Sequence, residues 1–144
     1  MKTYLTALAL AATVITSFAA EPSANPVSPS VDKNSRCFEM RTYYAAPGKL
    51  DALLARFRDH TAKLFEKHGM TNVVYLAPMD APASENQLVY LLAHKSREAA
   101  KTSWAAFQND PEWKKVSSES QVNGRIVAKV DSVFLTATDY SPLK

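Results

Sequence analysis

One cysteine and three glycines among 144 residues remove several chemistries at the outset. No Gly-x-Ser-x-Gly elbow, Walker loop, dinucleotide fingerprint or Cys-x-x-Cys pair occurs, which sets aside hydrolase, nucleotide-dependent and redox-dithiol readings. Cys37 has no second cysteine to pair with inside the chain. It is therefore either buried and inert or available to another chain, and its apolar strand neighbours favour burial. Charge of one sign is not concentrated anywhere: 17 Lys and Arg stand against 14 Asp and Glu, interspersed along the sequence. Nothing resembles the basic stripe that nucleic acid requires, so no nucleic-acid partner is expected. The apolar run Leu5 to Ile15 is too short to span a bilayer and no later segment is long enough, so no stable membrane insertion is expected.

That early run has a different meaning. Lys2 supplies a positive start and Ser17-Phe18-Ala19 a small-x-small cleavage site, so residues 1–19 read as a signal peptide that sends the chain to a periplasm or beyond. Residues 20–35, "AEPSANPVSPSVDKNS", carry Pro22, Pro26 and Pro29 with little apolar surface, which predicts a flexible, partly polyproline-like tether. Residues 36–144 are the size of one small domain with one core.

Within that domain, residues 37–44 favour a strand, and Pro47-Gly48 ends it. Leu50, Leu53, Leu54, Phe57, Leu64 and Phe65 define one helical stripe between Lys49 and His68, with Gly69 just beyond. Met70 to Ala77 reads as a second strand and Pro78 to Asn86 as a loop. "QLVYLLAH", Gln87 to His94, is a nearly unbroken apolar run that suits a strand covered on both faces. Ser96 caps a helix through Ala100, Trp104 and Phe107. Asp110-Pro111 restarts it with Trp113 and Val116 facing inward, and Ile126 to Ala137 forms the last strand. Strand, helix, strand, strand, helix, strand is the ferredoxin-like βαββαβ pattern, an α+β domain with a four-stranded antiparallel sheet. Helices cover one face. The other needs a cover of its own, and a second copy of the same sheet supplies it most cheaply, so a homodimer is expected.

"FEMRTYYAAPGKLDALLARF", "EKHG", "NDPEW" and the closing "LTATDYSPLK", in that order, resemble the NIPSNAP family across residues 37–144. The resemblance implies the dimeric α/β-barrel fold, in which two sheets join into a barrel between subunits with helices outside. The wider superfamily holds cofactor-free monooxygenases, haem enzymes and isomerases, so the likeness narrows function only loosely.

Period-two alternation puts Glu39, Arg41 and Tyr43 on one face of the first strand. Two accounts stay open: a buried ion pair that sets register or the dimer interface, or a polar cluster with Arg41 as anion clamp, Glu39 as base and Tyr43 as hydrogen-bond donor. His60 stands three after Phe57 and four before Leu64, at the edge of the apolar stripe. It is either a core-edge histidine or, facing the space between helix and sheet, a general base; the resemblance also places a His at this helix position. His68 suits the helix C-terminus, and His94 ends the third strand alone. No histidine has a Cys, Asp or Glu at metal-ligand spacing, so neither a metal nor another cofactor is expected, although a haem would need only one of the three histidines. Trp104 is core or lines a ligand pocket. The expected functions are a homodimeric module binding a small, partly apolar molecule through Arg41, Tyr43 and Trp104. The alternatives are a cofactor-independent monooxygenase or isomerase on an enolisable aromatic or polyketide-like compound, using His60 or Glu39 as base, or a purely structural dimer.

Overall fold

The computed structural model describes residues 28–144; the signal peptide read over residues 1–19 and the start of the tether lie outside these. The β-favouring run after Arg36 forms β1 (Cys37–Ala45). The apolar stripe that follows forms α1 (Leu50–Arg56), a π turn (Phe57–Thr61) and α2 (Ala62–Lys67) in immediate succession. Then come β2 (Thr71–Leu76), β3 (Gln87–His94), α3 (Arg97–Asn109), α4 (Pro111–Glu119) and β4 (Val127–Leu135). The sheet is antiparallel throughout in the order β2-β3-β1-β4, which is the expected ferredoxin-like arrangement with β1 central.

The continuous helix expected from Lys49 to His68 is interrupted. Over Phe57–Thr61 the helix widens into a π turn, and the buried Thr61 hydroxyl donates to the Arg56 carbonyl at 3.1 Å, which satisfies a polar side chain that faces the core. Phe57, Thr61, Leu64 and Phe65 are buried, and His60 is exposed. Periodicity alone cannot reveal such a turn, because the apolar spacing survives it.

The core lies between the helices and one face of the sheet. Leu53, Phe65, Tyr90 and Leu92 are fully enclosed there, each large apolar side chain worth roughly 1.5–3 kcal/mol on burial. Phe57 and Phe65 both meet the Tyr90 ring at a tilt, with centroids 5.1 and 5.9 Å away. Ser96 accepts the Ala99 N–H to cap α3. Asp110 caps α4 through the Glu112 N–H, and its other oxygen holds Lys67 at 2.8 Å and His68 at 2.6 Å. Hydrogen bonds from Lys67 and His68 keep its carboxyl below the usual carboxylate range. His68 thus stands at the end of α2, as expected, and also ties it to the start of α4.

Gly69 reverses the chain after α2 at φ +76°, the left-handed conformation that disfavours a Cβ. There is room for the methyl, with Ser103 Oγ at 3.7 Å, so the penalty is conformational. Gly69→Ala is expected to destabilise the fold by about 1–2 kcal/mol with an unchanged denaturant slope in urea unfolding.

Residues 28–36, most of them assigned by sequence to the tether, are joined to the C-terminal tail. Val31 bridges Thr138, the Asp32 N–H donates to Ala137 O, and Arg36 Nε donates to Lys144 O at 2.8 Å. Phe38 is buried with Ala93 and Ala137 at this end of the sheet's second face. Elsewhere that face shows Met40, Val74, Leu76, Val133 and Leu135 to solvent. Cys37 is half-buried and free, with burial raising its thiol pKa. No helix among the described residues is long and apolar enough to cross a membrane.

Candidate functional site

Because β1 is flanked by β3 and β4, its helix-facing side chains are closed in from both sides. Glu39 is 1% exposed, and its carboxylate accepts four hydrogen bonds from four elements. Oε1 receives Arg41 Nη1 at 2.6 Å and Ser132 Oγ at 2.7 Å. Oε2 receives Trp104 Nε1 at 2.6 Å and pairs with His94 Nε2 at 3.1 Å. Burial pushes the carboxyl up, but the bonds from His94, Ser132, Trp104 and Arg41 outweigh it and bring the pKa down to about 2. Bonds to the charged form stabilise that form. Glu39 is therefore ionised, with its lone pairs engaged, and so is poorly suited to accept a substrate proton.

Arg41 is fixed rather than floppy. The ion pair with Glu39 holds one nitrogen, and Cζ lies 4.2 Å from the Trp104 ring centroid and 5.7 Å from that of Tyr43. Its Nε is buried without a hydrogen-bond partner among the described residues. Trp104, expected as core or pocket wall, packs against Phe65 and Phe107 and donates its N–H to Glu39. Tyr43 shares the face of Arg41, but its ring turns into the core against Phe57 and Tyr90, with centroids 5.4 Å from each. The Tyr90 hydroxyl is also buried without a partner among the described residues, and burial raises its pKa well above the usual value.

The structure brings Glu39, Arg41 and Trp104 together and leaves His60 apart. His60 is exposed and lines a different groove, beside Ala55 and Val116, so the scheme pairing it with Arg41 is not assembled. Two partners escaped the sequence reading, His94 and Ser132. The antiparallel register was the available signal: Cys37 opposite His94 and Arg41 opposite Ser132 place both beside Glu39 on the same face.

Glu39, Arg41, Trp104 and Ser132 floor an open cleft of about 730 Å³ between α3 and β4, walled by Phe134 and flanked by Arg97, Glu98 and Lys101. With the Glu39 charge already engaged by its donors, the cleft is cationic and has two aromatic walls. Among the described residues no three His, Cys, Asp or Glu side chains converge as metal ligands would. His68 and His94 each direct Nε2 at a carboxylate.

The family model for NIPSNAP matches residues 38–142. The chain belongs to the NIPSNAP family. Among solved structures, this NIPSNAP domain is similar to a family member of unknown function from Agrobacterium tumefaciens, with 20% identity, TM-score 0.69, and 80% of this chain and 99% of that one covered. A NIPSNAP-like domain protein from Burkholderia xenovorans is 17% identical at TM-score 0.65, over 76% of this chain and 90% of that one. A monooxygenase from Streptomyces coelicolor, solved with the ligand nanaomycin D, is 16% identical at TM-score 0.51, over 74% and 90%. At these identities the likeness is one of fold. No curated protein matches the chain.

Proposed function

We propose that this NIPSNAP domain is an exported homodimer that binds a small, partly apolar molecule with an anionic end in the cleft between α3 and β4. The observation that carries the reading is Arg41: a guanidinium locked by Glu39, stacked on Trp104 and set in the floor of a cationic cleft. Such a group is pre-organised for a carboxylate or enolate, because its planar fork loses little freedom on binding. Trp104 and Phe134 would take the apolar part. Binding is favoured over proton abstraction because the buried carboxylate is occupied by its donors and His60 lies elsewhere. The Streptomyces monooxygenase of similar fold holds nanaomycin D, which supports a fold able to accept a small organic ligand. Export rests on residues 1–19. The dimer rests on the apolar side chains exposed on the helix-free face of the sheet.

Trp104 provides the readout. Titrating benzoate and larger aromatic acids into the full chain should quench tryptophan fluorescence saturably, and Arg41→Met should weaken binding by at least about tenfold, since a charge-assisted hydrogen bond contributes roughly 1.5–3 kcal/mol. Native mass spectrometry should find a co-purified small acid on the wild-type protein and none on the variant. No quenching by any aromatic acid, together with clean wild-type protein over repeated preparations, would sink the reading.

A further inference from the structure

Arg56 is a buried charge that the cleft does not explain. It is 6% exposed, and no carboxylate among the described residues lies within ion-pair distance of it. Its Nη1 donates to Ser120 Oγ across a long 3.4 Å, and Cζ sits 5.2 Å from the Trp113 ring centroid. Nε is buried without a hydrogen-bond partner among the described residues. A guanidinium does not shed its charge to escape such a setting, and buried charges are ordinarily paired. The lost solvation therefore asks for an anion.

The place for one adjoins it. Arg56 lines a groove of about 230 Å³ between α1, the π turn and α4, with His60 and Ser120 on its walls. Asp59 and Glu119 also border the groove, but neither serves as counter-charge to Arg56. Asp59 pairs with Arg58 at 3.0 Å and Glu119 faces Lys115 at 3.9 Å. The groove is too small for the ligand-sized molecules that fill ordinary pockets and large enough for a single oxyanion. His60, a residue of the π turn, stands at its lip, and such turns recur at functional sites.

We infer that this groove is a second ligand site, separate from the Arg41 cleft, which receives a small oxyanion, a carboxylate or phosphate group, on the Arg56 guanidinium beside Ser120 and His60. The two sites have no lining residue in common, so the inference stands whether or not the cleft binds an aromatic acid.

The test uses inorganic phosphate, which lacks the carboxylate that the Arg41 cleft is proposed to hold, as the probe on the full chain, followed by thermal unfolding against sodium chloride at matched ionic strength. The expected result is a Tm that rises with the logarithm of probe concentration beyond the chloride control. Arg56→Gln should abolish that rise. Should that variant fail to fold, His60→Ala and Ser120→Ala, which leave the buried guanidinium in place, should raise the apparent Kd severalfold. Arg41→Met should respond as the wild type does. A wild-type response no larger than that to chloride overturns the inference. So does an undiminished response in the Arg56 variant or in both wall variants, or loss of the response in the Arg41 variant, which would place the anion in the cleft instead.

Discussion

Glu39→Gln is expected to lower folding stability by roughly 3–5 kcal/mol near neutral pH, because it strands Arg41 beside a neutral amide in a buried site. The substitution also turns an acceptor-only group into one with an N–H₂ that must face donors from Arg41, Ser132, Trp104 or His94. The acid limb supplies an independent check. The unfolded carboxyl titrates near 4.5 and the folded one near 2, so the folded state binds the proton less tightly. The resulting stability is fully present above the unfolded value and is lost as pH falls through the folded one. Its size is roughly 3 kcal/mol. Urea unfolding of both proteins between pH 6 and about pH 2 should therefore show the wild-type advantage shrinking over that window. Other carboxyls titrate there too, and the difference between the proteins cancels them. A constant gap across the window would mean that Glu39 is not held ionised by its donors.

The sequence posed a structural lock and a site as alternatives for Glu39 and Arg41. In the folded chain the two readings are compatible: Glu39 is enclosed and saturated, whereas the Arg41 side chain keeps 18% of its surface open in the floor of the cleft. The prediction for Glu39 is accordingly one of stability, and that for Arg41 one of binding.

What could be read beforehand follows from the range of the forces involved. The face shared by Glu39, Arg41 and Tyr43, the caps at Ser96 and Asp110, and the strand order all depend on local periodicity, capping and short connections, and all are present. Apart from Arg41, the partners of Glu39 lie 55, 65 and 93 residues away. Nothing local in His94 or Ser132 marks them as its partners; only the assembled register does. Tyr43 and Arg41 share a strand face, yet the ring of Tyr43 is drawn into the aromatic core while Arg41 meets the cleft. Alternation assigns a face and says nothing of which end of it is open. Arg56 was invisible for a related reason: an arginine inside an amphipathic helix normally lies on the wet side, and its burial results from α4 packing across it.

The second face of the sheet leads to the other large effect. Met40 on β1 and Val133 on β4 are register partners, 38% and 48% exposed, and neighbouring Leu135 and, on β2, Val74 and Leu76 are exposed as well. Further along β4 the same face carries Lys129 paired with Asp131 at 2.8 Å, so its apolar character is concentrated towards one end. The proposed homodimer would bury this apolar end against its copy. Met40→Asp with Val133→Asp should then leave the monomer folded, because both side chains already reach solvent, while placing unpaired charge inside the dimer. A stranded buried charge costs roughly 3–5 kcal/mol, which corresponds to a dimer Kd raised on the order of a hundredfold or more. Sedimentation over a concentration series should show wild-type dimer and variant monomer at the same micromolar concentrations. A variant that remains dimeric would move the interface to another surface, and a wild-type monomer would leave this apolar face without its proposed cover.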